Sequence, residues 1–187
     1  MSLHISFKLS QSDLEYFGNV MRTARENSMD KSQQQITDSA VQLLERISQS
    51  DATDFIRTHT RQLETLISML EDEGWGLIED DRERVLAALS YFSDPQDIIP
   101  DAIPGLGYLD DAIMIEIVCK ELEHEIQAYR EFVAFRTSKT GHSGEDQATL
   151  QRSDWLEERR QQLHSRMRRR RKGQADGNKT KSPFSLF

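Results

Sequence analysis

The chain has 187 residues, a formal net charge of -8 and a single cysteine, Cys119. That length suits one domain with a sizeable core plus tails and excludes two independent domains of ordinary size, while one cysteine excludes an intramolecular disulfide and points to a reducing cytosol. Frequent Leu, Ile, Ala, Glu, Arg and Gln beside sparse Gly favour helices over sheet, so the expected fold is all-α: a single bundle of about five helices with a proline-rich interhelical connection, then a basic C-terminal helix and tail.

Residues 1–9 read as an N-terminal arm, with neither the apolar run nor the preceding basic segment of an export signal. Residues 10–136 are expected to form the helical domain. Ser10 and Ser12 are candidate N-caps for a first helix, Leu14 to about Asn27, with Leu14, Phe17, Val20, Met21 and Ala24 on one stripe. A second helix follows from the spacing of Ile36, Ala40, Leu43, Leu44 and Ile47. Ser50 or Asp51 is expected to cap a third, carrying Phe55, Ile56, Leu63, Leu66, Ile67 and Leu70 and ended by the GWG at 74–76. A fourth, roughly Asp80 to Tyr91, directs Val85, Leu86, Ala88, Leu89 and Phe92 to the core. The fifth and longest, about Asp110 to Phe135, aligns Ile113, Ile117, Leu122, Ile126, Tyr129 and Val133 opposite a charged, solvated face. Residues 137–152 are small, polar and glycine-containing and predict a flexible linker. A basic amphipathic helix is expected at 153–172; with few apolar residues (Trp155, Leu156, Leu163, Met167) it should dock weakly or project into solvent. Residues 173–187 read as a disordered tail with an apolar C-terminal peptide.

Between the fourth and fifth helices stands DPQDIIPDAIPGLGYLDD, residues 94–111. Pro95, Pro100 and Pro104 fix φ and restrict the residue before each, which forbids a continuous helix. Gly105 and Gly107 permit positive φ or close backbone approach. Ile98, Ile99, Ile103, Leu106, Tyr108 and Leu109 are expected to plug the space between the flanking helices. Asp97 and Asp101 can accept nearby backbone N–H groups, and Asp110 or Asp111 can cap the next helix. The alternative is that Asp97, Asp101, Asp110 and Asp111 converge on a divalent cation, magnesium or calcium, which is the one cofactor these residues suggest. Their spacing is not that of the calcium loop D-x-D-x-D-G.

The stretch YFSDPQDIIPDAIPGLGYLDDAIMIE, residues 91–116, resembles the signature of the YkvA-like family, a bacterial helical domain of unknown function whose pattern is close to Y-x-x-S-P-x-D-L-I-P-D-x-I-P-x-x-G-x-x-D-D. Here Asp94 stands between Ser93 and Pro95, where the pattern has Ser directly before Pro. The resemblance implies a helical fold and no catalytic residues, and membrane association for some members. Asp101, Asp110, Asp111 and Glu116 interrupt the most apolar stretch, 98–119, which argues against a transmembrane segment.

The five histidines, His4, His59, His124, His142 and His164, are scattered without an i, i+4 pair, and there is no nucleophile elbow or phosphate loop. The expected protein is therefore non-enzymatic. Its charge is uneven: residues 1–165 hold 16 Lys and Arg against 31 Asp and Glu, and residues 166–187 hold 8 against 1. Arg166, Arg168, Arg169, Arg170, Arg171 and Lys172 suit nucleic acid, an acidic protein partner, an anionic membrane surface, or the protein's own acidic body. The final PFSLF resembles the bacterial sliding-clamp-binding pentapeptide Gln-Leu-Ser/Asp-Leu-Phe at Ser185, Leu186 and Phe187, with Phe184 and Pro183 replacing its leucine and glutamine. Together these features predict a cytoplasmic adaptor that holds nucleic acid or an acidic partner by its basic region and a protein partner by Phe184–Phe187. The alternatives are a peripheral membrane protein using the basic helix, a divalent-metal-binding domain, and a scaffold that oligomerises through a helical face.

Overall fold

The computed structural model describes residues 8–94, 98–103, 106–143 and 154–177. Among these residues there are seven α-helices and no strand, so the fold is all-α. Helix α1 (Gln11–Asn27) opens on a capping box: Asp13 N–H donates to Ser10 Oγ at 3.3 Å, and Ser10 N–H donates to Asp13 Oδ2 at 2.7 Å. Helix α2 (Gln33–Gln49) repeats the device with Ser32 and Gln35. Helix α3 (Asp54–Glu71) is capped by Thr53 rather than by Ser50 or Asp51. Ser50 instead closes α2, its hydroxyl donating to the Ile47 carbonyl at 2.8 Å.

The GWG stretch turns the chain out of α3, with Gly76 at φ +55°, where an L side chain is strained. Helix α4 (Glu79–Leu89) carries Glu79, Asp80 and Asp81 in its first turn, at the positive end of its dipole. A single 3-10 turn, Ser90–Ser93, leads into the central bend. Helices α5 (Leu109–Glu121), α6 (Glu123–Ser143) and α7 (Asp154–Gly177) complete the described chain. Helix α3 packs against α2, α4, α5 and α6, and the bundle core forms around its Leu63, Leu66 and Met69, all fully buried with Val85, Leu89, Met114, Ile115 and Phe132.

Three expectations are corrected. The single helix from Asp110 to Phe135 is two helices that meet at Leu122. No proline or glycine stands there. Leu122 N–H still donates to the Val118 carbonyl and Ile126 N–H to that of Leu122, and Leu122 is fully buried. The break falls where the packing partner changes, because α5 lies chiefly on α3 and α6 chiefly on α7.

The second correction is that α6 runs to Ser143, into the stretch expected to be a linker. Before that extension the helix is anchored by Arg136, which grips Asp72 through two hydrogen bonds of 2.9 and 2.7 Å, and by the Phe135 ring, which meets Trp155 edge-on at 5.5 Å.

The third is the most consequential: α7 neither projects into solvent nor docks weakly. Leu156, Leu163 and Met167 are each about 1% exposed, and burying three such side chains contributes on the order of 1.5–3 kcal/mol apiece. The helix also continues to Gly177, past Lys172 and into the expected tail.

Candidate functional site

The central bend is organised by one carboxylate. Asp110, 1% exposed in the first turn of α5, accepts at Oδ2 from Ile98 N–H at 2.9 Å, Ile99 N–H at 3.1 Å and the Tyr91 hydroxyl at 3.4 Å. It therefore caps the backbone of the bend, not its own helix. The N-cap of α5 is Tyr108, held at φ +65° with its side chain buried, a left-handed conformation uncommon for a non-glycine residue.

Gly107 explains part of the glycine pattern. A Cβ placed on it would lie 2.2 Å from the Asp101 carbonyl oxygen, so the backbone approach leaves room only for hydrogen. Pro100 is exposed, and its carbonyl accepts from Ile103 N–H at 3.0 Å, which closes a tight turn. Pro95, Asp97, Pro104 and Gly105 lie outside the described residues.

The apolar plug is partial. Tyr108 is buried and Ile98 is partly buried against the core, but Ile103 is 40% and Leu106 52% exposed, so these two side chains point outward instead of filling the bundle. The inserted Asp94 has a clear role. Its Oδ2 accepts from Asn27 Nδ2 at 2.9 Å, beside a 2.9 Å hydrogen bond between Ser28 and Ser93 and a bond from Lys31 to the Ser93 carbonyl. The entry to the bend is thereby tied to the end of α1.

Asp111 is buried and Asp101 half-buried. Among the described residues, no group of three or more His, Cys, Asp and Glu is placed to hold a metal ion.

The basic helix forms the second region. Residues 156, 160, 163, 164, 167 and 171 fall on one stripe at helical spacing, and that stripe faces the body. Arg171 Nη1 donates to Asp81 Oδ1 at 2.7 Å and to Glu125 Oε1 at 2.8 Å. Both carboxylates are fully buried, and Glu125 also accepts from Arg84 Nε at 3.2 Å. Burial pulls the Arg171 guanidinium down, but the hydrogen bonds and charges of Asp81 and Glu125 outweigh it and hold it above its usual value.

Arg166 pairs with Glu131. Its hydrogen bond, with the charges of Arg166, Arg159 and Arg170, keeps the Glu131 carboxyl below the usual range against a small opposing effect of burial. Arg170 donates to Gln127 at 3.0 Å. The basic run is thus divided: Arg166 and Arg171 pair with carboxylates of the body, Arg170 is exposed and bonds only the neutral Gln127, and Arg168, Arg169 and Lys172 have no hydrogen bond or ion pair among the described residues. Arg169 and Lys172 are exposed and Arg168 is half-buried. Phe184, Ser185, Leu186 and Phe187 lie outside the described residues.

Sequence reasoning missed the receiving side of this joint. Glu125 reads as part of a charged, solvated helix face and Trp75 as part of a helix stop, and Asp81 carries no signal of its own. The stripe running through Leu156, Leu163, His164, Met167 and Arg171 was the available signal that α7 has a body-facing side. The thiol Cys119 is buried and pushed up to about 12 by burial and by the Glu116 charge, so it behaves as a small apolar residue and not as a nucleophile.

Residues 84–117, which run from α4 through the bend into α5, match the family described as Protein of unknown function (DUF1232). The chain is also 39% identical over 46 residues to "Uncharacterized membrane protein YkvA" of Bacillus subtilis (strain 168). That match covers 25% of this chain, and the chain spans 43% of the length of that relative. No solved structure matches. The central bend, with the helices on either side of it, is therefore the part of this chain that is similar to the YkvA-like, DUF1232 family of unknown function.

Proposed function

We propose that the protein is a non-enzymatic interaction protein in which the helical body holds a fixed cationic face, and that this face binds nucleic acid through its phosphates. The observation that supports the reading is the division of the basic run. Docking of α7 pairs Arg166 and Arg171 with carboxylates and leaves Arg168, Arg169, Arg170 and Lys172 without a carboxylate partner among the described residues, with Arg169, Arg170 and Lys172 exposed. Adjacent cations without carboxylate partners attract phosphate strongly and with little preference for sequence. The acidic body repels the rest of the duplex, so contact is limited to this edge.

The test is fluorescence anisotropy of a labelled short duplex with the intact chain at low salt. Replacing Arg168, Arg169, Arg170 and Lys172 together by Ala is expected to weaken binding at least about tenfold while leaving the helical circular dichroism unchanged. If the intact chain does not bind the duplex, the reading fails.

On the same reading, Phe184–Phe187 supplies a second contact, a short apolar peptide for a pocket on a protein partner of the sliding-clamp type. Pull-down on a purified bacterial clamp should recover the full chain and not a chain ending at Lys181. Equal recovery of the two removes the peptide from the proposal.

A peripheral membrane role is the second reading, favoured by the printed name of the YkvA relative. Among the described residues no helix is long and apolar enough to cross a membrane, so attachment on this reading is electrostatic, through the same outer cations against anionic lipid. Sedimentation with phosphatidylglycerol vesicles at low salt separates the two, since a nucleic-acid module with no lipid role leaves the protein in the supernatant.

A further inference from the structure

His164 stands where the last helix meets the turn that ends α3. Its ring lies on that of Trp75, centroids 4.1 Å apart and planes within 17°, and the residue is 5% exposed. Nε2 is 3.2 Å from the Trp75 carbonyl oxygen. A carbonyl only accepts, so in the neutral ring Nε2 carries the hydrogen. Nδ1 is then a bare acceptor, buried and without a hydrogen-bond partner.

The charges around this ring come from three helices. Helix α4 supplies Asp81 and Arg84, α6 supplies Glu125, and α7 itself supplies Glu157, Arg160, Arg168 and Arg171. Asp81 and Glu125 are already engaged by Arg171, and Glu125 by Arg84 as well. Glu157 is turned to Arg160. No carboxylate is within hydrogen-bonding distance of Nδ1, so a second proton on the ring would be an unpaired buried donor next to Arg160 and Arg168. Burying such a charge is costly. On an undocked helix the same imidazole meets water and takes the proton freely.

We infer that the Trp75–His164 stack is an acid-sensitive latch: the neutral imidazole closes the last helix on the body, and protonation at Nδ1 loosens it. The titration agrees with the geometry in direction. Burial holds His164 below the ordinary 6.5, opposed by the Trp75 carbonyl bond and the Asp81 charge and aided by Arg168 and Arg160. The docked ring therefore binds fewer protons than the undocked one in the interval between its own value and 6.5. Docking weakens as pH falls through that interval and levels off below it. The latch stands independently of any nucleic-acid role.

Hydrogen exchange of the full chain between pH 7.5 and 5, expressed as protection factors, tests the latch. In the native protein, amides of 156–170 are expected to lose up to about tenfold protection per pH unit below 6.5, while those of α3 hold theirs. His164→Gln, which keeps a donor but cannot titrate, should make the same amides insensitive to pH. Native protection that does not change with pH overturns the latch. So does an equal acid loss in His164→Gln, which would assign the effect to Asp81 and Glu125. If His164→Gln already lacks protection at pH 7.5, the imidazole titration of the native chain by NMR decides: a midpoint below 6.5 supports the latch and one at or above 6.5 overturns it.

Discussion

The central bend and the last helix are the most conspicuously charged stretches of the chain, and both satisfy much of that charge internally, at very different distances. Asp110 finds its partners in the backbone of Ile98 and Ile99, close by along the chain. Arg171 finds Asp81 and Glu125 on two other helices. A cluster of like charges in sequence thus reads as a ligand site in both places, yet one is a local turn device and the other a long-range joint. What the joint does not absorb, the exposed cations of α7, is what the proposed anionic partner would meet.

Breaking the joint should have the largest effect. Arg171→Ala leaves Asp81 and Glu125 buried with Arg84 as their remaining cation, and loss of one partner from a buried pair costs about 3–5 kcal/mol. Chemical denaturation should show that loss, and hydrogen exchange should place it in α7. A change under about 1 kcal/mol would mean that the carboxylates are solvated and the joint is superficial.

Breaking the bend should cost somewhat less. Asp110→Ala strands the backbone N–H groups of Ile98 and Ile99, a loss of about 3 kcal/mol, and protection at Ile98 and Ile99 should fall before that of α7. Gly107→Ala drives a methyl into the Asp101 carbonyl and should cost about 2 kcal/mol, again localised to the bend. If either variant unlocks α7 first, the two regions are coupled and the comparison fails.

The smallest expected effect is on acid stability through a third contact. Burial alone would raise the Asp72 carboxyl, but the paired Arg136 hydrogen bonds and charge, the Trp75 N–H and the Tyr129 hydroxyl outweigh it and hold it below 3.8. The folded state thus keeps this contribution above about pH 4 and loses it as pH falls through the value in the folded protein. Thermal melts between pH 5 and pH 2.5 should show less acid destabilisation in Asp72→Asn than in the native chain; parallel curves would mean that the pair is screened by solvent.

Much of the bundle was legible because its causes are local. Ser10 announced α1, the spacing of Leu63, Leu66 and Leu70 announced α3, and the prolines and glycines announced the bend. The break at Leu122 was hidden because no residue type marks it; a change of packing partner does, and that is a property of the assembled fold. Ile103 and Leu106 were expected inside since they are apolar, but the turn closed by Pro100 and Gly107 turns them out. The division of the basic run was half legible. The stripe through Leu156, Leu163 and Met167 could have shown which side faces inward, whereas nothing in the sequence marks Asp81 and Glu125 as its buried receivers.

The central claim, that docking leaves only the outer cations of α7 for an anionic partner, is tested most directly by the salt dependence of duplex binding. Log affinity against log salt should fall with a slope of about -3.6, the value for four neutralised phosphates, matching Arg168, Arg169, Arg170 and Lys172. A slope near -5.4, the value for six, would show that the whole run from Arg166 to Lys172 is available and would contradict the docked, divided helix.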